Sequence, residues 1–394
     1  IGVSVLELGE MTSRSVASLG AKVKAVERLF QRSVDHVFES PSGPEGYRMR
    51  MSMRLLRDGT NGGRKLAFNS PIDGSLVHTS HVPIAHERIN SAFKIIERQV
   101  SEDKRLNQDV FEAKFHTTLR GELAVSLLYN KEINQDEWLN GAEDIRKELL
   151  EGTSATEVQV IGRARKQLLY LDRHYLYETM RVQHPHTNET LEFHYKQNTE
   201  TFSQPNALVN ELMLTWATKV SDRRHGIVDN DLLELYCGNG NFTVPLAKLI
   251  FDSALASETN RAAVADARWA LQYNDVSNTN VVRMSSQDMS GAYFGERQYE
   301  RLRDIDLLDL RPRTIFVDPP RAGLDASSVD LLAEHEGQAL YISCNPLSLK
   351  RDLDNIKAKS RHNLIIHELV CFDQFPGTDH IECGVELELR PNAL

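Results

Sequence analysis

The chain has 394 residues, of which 41% are hydrophobic and 26% are charged, and its formal net charge is −10. This composition is typical of a globular protein long enough for two domains, and it excludes a fibrous or low-complexity chain. No apolar stretch approaches the length of a membrane span and no charged-then-apolar leader opens the chain, so we expect a cytoplasmic protein without a membrane partner.

Helical spacing of apolar residues marks two helices in the first half of the chain, over residues 16–30 and 138–149. Strand-like runs and turn signals lie between them. We therefore predict an α+β domain over residues 1–195. A polar stretch then leads into a second domain, residues 196–394, where the pattern changes.

The run YRMRMSMRLLRDG, which starts at Tyr47, alternates basic and apolar residues. Alternate side chains of a strand face opposite ways, so Arg48, Arg50 and Arg54 share one face and the apolar residues share the other. Such a row of positive charge could hold RNA phosphates without reading sequence, which would make residues 1–195 an RNA-binding domain. The alternative is a solvated strand whose arginines pair with acids.

Short apolar strands alternate with helical stretches from about Asp231 onward. This alternation predicts an α/β fold with a doubly wound, mostly parallel sheet, and the last two strands, joined without a helix signal, predict an antiparallel ending. The seven strand candidates are residues 232–236, 254–257, 280–284, 314–317, 340–343, 363–371 and 384–389.

A glycine pair follows the first of these strands in the run LLELYCGNGNF. Gly238 and Gly240 let the backbone approach a ligand closely where a strand turns into a helix. Thr243 occupies the position of a third glycine, so a nucleoside is favoured over a full dinucleotide. Glu258 ends the next strand and could accept hydrogen bonds from ribose hydroxyls. Alternatively, it is a solvated strand end.

The run IFVDPPRAGLD places Asp318 at the end of a strand and then fixes the loop with two prolines. Beside a nucleoside pocket, this pattern is typical of the methyltransferase motif that holds the base to be modified. The alternative is a rigid turn in which Asp318 caps a helix. Arg321 could contact a phosphate or pair with a nearby carboxylate.

None of the four cysteines, Cys237, Cys344, Cys371 and Cys383, lies in a CxxC spacing, so we expect no zinc or iron–sulfur site. Cys344 differs from the others because it ends a strand in the run YISCNP. By itself it would be a core residue. Beside a nucleoside pocket it could instead be a nucleophile. If the ligand is S-adenosylmethionine and the acceptor is uracil, methylation of carbon 5 requires a thiolate that adds to carbon 6 and a base that removes the carbon 5 proton. Glu382 is the candidate base, and His380 is the alternative base unless it only forms hydrogen bonds within the loop.

Five motifs in this order resemble the RNA (uracil-5-)-methyltransferases, and among them the tRNA branch: SQPN, LLELYCGNGNF, FVDPPRAGLD, YISCNP and FDQFPGTDHIECGV. The resemblance implies a Rossmann-like class I methyltransferase domain that uses S-adenosylmethionine. It also implies that Cys344 is the nucleophile and Glu382 the base. The residues expected to line the cofactor and base pocket are Gln204, Tyr236, Gly238, Asn241, Glu258 and Asp318. Gly238 is included because of the glycine pair described above, and the other five follow from the resemblance.

The resemblance further implies methylation of uridine 54 in the T-loop, with the T-arm of tRNA as partner and a monomeric enzyme. Relatives that act on ribosomal RNA usually carry a four-cysteine cluster, which is excluded here because no cysteine precedes Cys237. Two alternatives stay open. One is the same chemistry on ribosomal RNA or another structured RNA such as tmRNA, and the other is an RNA-binding or RNA-folding protein with a vestigial site.

Overall fold

The computed structural model describes residues 17–58, 63–70, 74–222, 230–305, 307, 310 and 312–391. These residues divide into two compact units. The N-terminal unit comprises Ser42–Thr179 and Gln197–Ala207, and the C-terminal unit comprises Ala17–Pro41, Met180–Lys196 and the chain from Leu208 onward. This division differs from the single boundary expected after residue 195, because residues 17–41 and 180–196 belong to the C-terminal unit.

The elements of the first half follow one another with short connections. In chain order they are α1 (Leu19–Phe30), β1 (His36–Phe38), β2 (Arg50–Arg57), β3 (Arg64–Asn69), β4 (Leu76–His78), α2 (Glu87–Glu102), α3 (Lys104–Asn107), β5 (Val110–Thr117), β6 (Glu122–Tyr129), α4 (Gln135–Gly152), β7 (Glu157–Ala164), β8 (Gln167–Tyr170), β9 (Tyr175–Gln183) and β10 (Thr190–Asn198).

In the described part of the N-terminal unit, strands β2 to β8 form a seven-stranded sheet in the order β4-β3-β2-β5-β6-β7-β8. The β6–β7 pair is parallel and its helix α4 is the crossover, while the other pairs are antiparallel. Apolar residues of α2 and α4 pack against one face of the sheet in a single core. Trp138 of α4 is fully buried there and donates from Nε1 to the Tyr129 hydroxyl at 3.0 Å.

The second half alternates helices with strands, as its sequence predicts. The elements are α5 (Ala207–Ser221), β11 (Asp231–Leu235), α6 (Thr243–Leu249), β12 (Ser253–Glu258), α7 (Arg261–Tyr273), β13 (Thr279–Arg283), α8 (Ser286–Tyr293), a 3₁₀ turn (Glu300–Leu302), β14 (Pro312–Val317), α9 (Ala326–Glu334), β15 (Gly337–Ser343), α10 (Pro346–Lys359), β16 (His362–Phe372) and β17 (Glu382–Pro391).

The sheet of the C-terminal unit has the strand order β1-β16-β17-β15-β14-β11-β12-β13. Strands β11 to β15 are mutually parallel, and β17 runs antiparallel to β15 and β16. The predicted doubly wound α/β fold is therefore confirmed. The order reverses at β11, whose neighbours are β12 and β14. In such sheets ligands bind outside the carboxyl ends of the strands at this switch point.

The sheet has eight strands among the described residues, one more than the seven that the sequence predicts. The additional strand is β1, which pairs in parallel with β16 through His36, Val37 and Phe38. Three residues are too few to give a periodic pattern, and the pairing partner lies more than 330 residues away.

Within the described residues, no helix is long and apolar enough to cross a bilayer.

Gly162 of β7 gives a test of the N-terminal core, since a Cβ at this position would lie 2.6 Å from the Trp138 ring. We expect Gly162→Ala to lower the free energy of unfolding by about 1–3 kcal/mol through overpacking, measured by urea denaturation. Gly20→Ala in α1 is the control, because its Cβ would meet nothing within 4 Å. An unchanged midpoint for Gly162→Ala would contradict the tight packing.

Candidate active site

The loop after β11 has a backbone that leaves one side open. Tyr236, Gly238 and Gly240 all have positive φ angles, of 62°, 57° and 83°. A Cβ at Gly240 would lie 3.3 Å from Ala267 of α7, so this glycine permits close packing, whereas a Cβ at Gly238 would meet nothing within 4 Å. Gly238 therefore lies where a ligand can approach the main chain.

Glu258 at the end of β12 is held beside this loop by backbone donors. Its Oε2 accepts from the Gly238 N–H at 3.1 Å, and its Oε1 accepts from the Asn260 N–H at 2.7 Å. The carboxylate is only partly buried. Its remaining lone pairs can accept from vicinal hydroxyls, which fits the ribose of a nucleoside ligand.

Asn241 stabilises the loop from the side of α5. Its side-chain amide exchanges two hydrogen bonds with that of Asn210, at 2.8 and 2.9 Å, and its carbonyl accepts from the Tyr195 hydroxyl at 3.0 Å. The Asn241 side chain therefore orders the loop in this structure. A direct contact between Asn241 and the cofactor stays a prediction.

Tyr236 is anchored to the N-terminus of α9. Its hydroxyl donates to Asp325 at 2.8 Å and lies 3.1 Å from the Ser328 hydroxyl, and Ser286 also donates to Asp325. Burial is the main cause that raises the pKa of Tyr236. The sequence did not single out Asp325, although an aspartate three residues before Ser328 at a helix start is a capping pattern.

Strand register brings the thiol and two carboxyl groups to one edge of the sheet. β15 pairs antiparallel with β17 so that Ser343 lies opposite Cys383. Cys344 and Glu382, the adjacent residues, therefore reach the same edge. β14 lies on the other side of β15 and ends immediately before Asp318. This edge, with the loop after β11, is the candidate active-site crevice.

Burial keeps protons on this group of acids. It raises the pKa of the Cys344 thiol to about 11, with further contributions from the charges of Glu382 and Asp318 and a lowering by Arg321. Burial also raises the pKa of Glu382 to about 8, with a contribution from Asp318, and that of Asp318 to about 7. The thiol is therefore protonated at neutral pH, and the carboxyls can exchange protons near pH 7.

Glu234 is a fourth acid that the sequence analysis missed. It lies within β11 and is 1% exposed, and burial raises its pKa to about 8, with a further contribution from Asp318. The Thr243 side chain partly offsets this effect and lowers the pKa of Glu234, whereas Glu382 Oε2 is among the described side-chain atoms that are buried without a hydrogen-bond partner. A lone glutamate inside the apolar run LLELY was the available signal, since such residues are rarely buried unless paired.

The turn after Cys344 is rigidly connected to the loop that carries Arg321. Asn345 caps α10 by accepting from the Leu347 N–H at 3.2 Å. The Asn345 side chain and the Ser348 hydroxyl both donate to the Arg321 carbonyl at 3.2 Å. This network fixes the loop and turn on either side of the sulfur.

The loop before Glu382 is held by a lysine from the start of the chain. Lys22 of α1 is buried and forms an ion pair with Asp373 at 2.7 Å, and its Nζ also donates to the carbonyls of Phe375 and His380. The His380 side chain is exposed, whereas Glu382 is buried in the crevice. Glu382 is thus the better placed of the two candidate bases.

The other predicted site residues lie in the N-terminal unit. Gln204 is buried, and its role in a cofactor pocket stays a prediction. Arg50 donates to the Thr201 carbonyl at 2.7 Å and to the Ser203 hydroxyl at 3.0 Å, and burial lowers its pKa to about 10. Its guanidinium is therefore directed into the unit.

Arg54 is more accessible than Arg50. Its side chain is 52% exposed and lies 3.8 Å from Glu112. Arg48 is partly buried and donates from Nε to the Arg50 carbonyl. A phosphate contact by Arg48, Arg50 or Arg54 stays a prediction, and Arg54 is the most exposed of the three.

Comparisons with known proteins agree with one another. A family model described as tRNA (Uracil-5-)-methyltransferase matches residues 14–390. A tRNA/tmRNA (uracil-C(5))-methyltransferase of Shewanella amazonensis is 41% identical over 350 residues, which are 89% of this chain and 90% of that protein. The protein of the same name from Cellvibrio japonicus is 38% identical over 354 residues, 90% of this chain and 89% of that protein.

A solved structure shares the fold. The Pyrococcus abyssi tRNA (uracil-54, C5)-methyltransferase in complex with S-adenosyl-L-homocysteine aligns with a TM-score of 0.67 at 20% identity, covering 94% of this chain and 82% of that one.

The raised pKa of Glu382 predicts how stability varies with pH. The folded protein keeps this carboxyl protonated up to about pH 8, whereas the unfolded chain ionises above the ordinary pKa of about 4.5. The stabilisation is thus fully present below that ordinary pKa and is lost as the pH rises through about 8.

We expect Glu382→Gln to lose less stability than the wild type between about pH 4.5 and about pH 8, by several degrees in Tm at the alkaline end. Thermal unfolding monitored by circular dichroism measures it. Glu300→Gln, where the side chain is 81% exposed, is the control and should follow the wild type. Parallel pH curves for Glu382→Gln and wild type would contradict the buried carboxyl.

Proposed function

The chain belongs to the tRNA (uracil-5-)-methyltransferase family, and from this premise we propose that it transfers a methyl group from S-adenosylmethionine to carbon 5 of uridine 54 in the T-loop of tRNA. The observation that carries the proposal is the meeting of the Cys344 thiol and the Glu382 carboxyl at the switch-point edge of the sheet. A nucleophile and a base beside a nucleoside pocket are what this reaction requires.

The residues of the crevice fit S-adenosylmethionine. Gly238 leaves the backbone open to a ligand, and Glu258 presents carboxylate oxygens beside it. Asp318 and Glu382 have raised pKa values, and Glu382 Oε2 is buried without a hydrogen-bond partner among the described atoms. A cationic sulfonium beside these carboxyls would lower their pKa and be stabilised by their ionised form, whereas a neutral or anionic ligand would not. When bound, the cofactor supplies an electrophilic methyl group.

The first step forms a bond between the Cys344 sulfur and carbon 6 of the uracil. The thiol proton passes to a neighbouring carboxylate, and Asp318, with a pKa of about 7, is the acceptor that we assign. The electron pair of the carbon 5–carbon 6 double bond moves toward the uracil O4. Carbon 5 of this enolate then becomes nucleophilic and can bond to the methyl group.

The second half of the reaction restores the aromatic-like ring. After methylation, carbon 5 carries both the methyl group and its original hydrogen. Glu382 in its ionised form, which is the minor form below about pH 8, removes that proton, the double bond forms again, and the carbon 6–sulfur bond breaks to release the thiolate. Cys344 regains its proton from Asp318, and Glu382 releases one proton to solvent. A pKa near the working pH suits Glu382 to this transfer.

The RNA substrate has to present an unstacked uracil to this crevice. Cys344 follows the end of β15 in the crevice, so a uracil that is stacked within a helix would be out of its reach. Extraction of the base from its stack costs about 2–4 kcal/mol. The names of the relatives give tRNA and tmRNA as their substrates, and uracil 54 as the position for the Pyrococcus protein. These names support uracil 54 of tRNA as the target, and they also keep tmRNA as a second substrate.

A trapped complex tests the reaction. In tRNA that contains 5-fluorouridine, fluorine replaces the proton that Glu382 removes, so the covalent adduct should accumulate in the presence of S-adenosylmethionine. Denaturing electrophoresis should show a protein band shifted by the mass of the tRNA. If methylation of ordinary tRNA proceeds and yet no adduct forms, the covalent route is wrong.

Variants assign the two roles. We expect Cys344→Ala to abolish both methyl transfer and adduct, because the attacking sulfur is gone. Glu382→Gln should form adduct even with ordinary tRNA and release methylated product at least about 100-fold more slowly, since proton removal fails. Cys371→Ala, which removes a buried thiol from β16, is the control and should retain both activities.

The proposed contact between Glu258 and the ribose of the cofactor can be tested by measuring cofactor affinity without catalysis. We expect Glu258→Gln to weaken S-adenosylhomocysteine binding by about 10-fold or more, because hydrogen bonds to a charged acceptor are the strong ones. Isothermal titration calorimetry measures the affinity, with Glu300→Gln as control. Equal affinities for Glu258→Gln and wild type would remove Glu258 from the pocket.

A further inference from the structure

Four aromatic rings form a continuous series from the end of β8 into the first half of β9. Tyr170 lies 5.0 Å from His174, His174 lies 6.1 Å from Tyr175, and Tyr175 lies 5.4 Å from Tyr177, measured between ring centroids. Tyr170 is 40% exposed and the other three rings are partly exposed. So many aromatic rings within eight residues of surface chain are unusual for a solvated edge.

Two arginines lie over the tyrosine rings. The Arg173 guanidinium is 5.7 Å from the centroid of Tyr175 and 4.8 Å from that of Tyr177, and Arg120 is 5.9 Å from Tyr177. These distances are those of cation–π contacts. Arg120 is 43% exposed at the turn between β5 and β6, so its donors can also reach a ligand.

A buried carboxylate holds this group in place. Glu122 Oε2 accepts from Arg173 at 2.9 Å and from the Tyr177 N–H at 2.9 Å, and Arg173 is also 2.8 Å from Glu157. Glu122 is 4% exposed. The rings and the guanidinium are therefore pre-ordered, which lowers the entropy lost when a flat ligand stacks on them.

The charges around the rings have both signs. Arg120 is an exposed cation beside Tyr177, and its Nε lies 4.0 Å from Glu122 Oε1. On the acidic side, Glu157 is 43% and Asp172 is 59% exposed, and both contact Arg173. Partly exposed rings with an exposed arginine at their border suit a ligand with both π faces and phosphates.

We propose that this group is a stacking surface for unpaired nucleotides of the substrate RNA, a proposal that rests on the proposed function. Its members are Arg120, Tyr170, Arg173, His174, Tyr175 and Tyr177. Unpaired rather than helical RNA is the ligand, because bases within a helix are already stacked on each other and cannot offer a face to a tyrosine. Arg120 would hold an adjoining phosphate.

Tyr170→Ser and Tyr170→Phe test the stacking. We expect Tyr170→Ser to weaken the binding of unmodified tRNA by about fivefold or more, and Tyr170→Phe to bind as the wild type, since it keeps the ring. The methylation rate at saturating tRNA should be the same in all three. Phe294→Ser removes a ring of equal exposure, 40%, from the C-terminal unit and is the matched control.

Salt dependence and cross-linking separate stacking from a phosphate contact. Arg120→Ser should reduce the slope of log affinity against log salt by about one phosphate contact, whereas Tyr170→Ser should leave the slope unchanged. Photo-cross-linking of tRNA with 5-iodouridine in its loops should join the RNA to the peptide containing residues 170–177.

Unchanged affinity of Tyr170→Ser, with no cross-link in this peptide, would overturn the proposal. Weaker binding by Arg120→Ser alone would also overturn it, in favour of a helical RNA held by its phosphates. The proposed function is tested separately, because binding is measured without methyl transfer. If wild-type protein binds tRNA and does not methylate it, the function fails while the stacking surface can still be established.

Discussion

The candidate active site of the C-terminal unit depends on one constraint, which is the burial of several acidic groups in the same crevice. Cys344, Asp318 and Glu382 share one edge of the sheet, and burial raises the pKa of each. Such a group retains protons instead of charge until a ligand alters the balance. The strand order creates this condition, since antiparallel β17 brings Glu382 to Cys344 and parallel β14 brings Asp318 to β15.

The sequence predicted the parts of this crevice that have local patterns. An apolar run followed by a glycine, a proline pair or an asparagine–proline pair marks the end of a buried strand. In an α/β sheet the parallel strand ends meet at one edge, so Gly238, Asp318 and Cys344 could be placed together without coordinates. The antiparallel return that adds Glu382 was also readable, because no helix pattern separates the last two strands.

Other parts depend on contacts between distant residues and could not be predicted. Lys22 forms its ion pair with a residue 351 positions away, and β1 is too short to carry a pattern. Alternation placed Arg48, Arg50 and Arg54 on one face of β2. It could not show that carbonyls of residues 199–201 take up the Arg50 donors. The alternation of residues in a sequence identifies which side chains share one face of a strand, whereas the contacts of that face depend on the three-dimensional fold.

The two units contain different kinds of chemistry. The C-terminal unit holds acids, a thiol and an open glycine loop, which suit a cationic cofactor and a uracil. The N-terminal unit carries partly exposed rings ordered by Glu122, with Arg120 beside them, which suit an RNA loop. The proposed reaction would use both kinds of chemistry, since a base has to leave its stack before it can react.

Mapping of the covalent bond tests the central claim most directly. The complex trapped with 5-fluorouridine tRNA would be digested with protease and nuclease, and the cross-linked peptide would be sequenced by tandem mass spectrometry. The account predicts a fluorinated, methylated uracil attached to the sulfur of Cys344. Attachment to Cys237, Cys371 or Cys383, or a methylated product with no attachment to any cysteine, would contradict it.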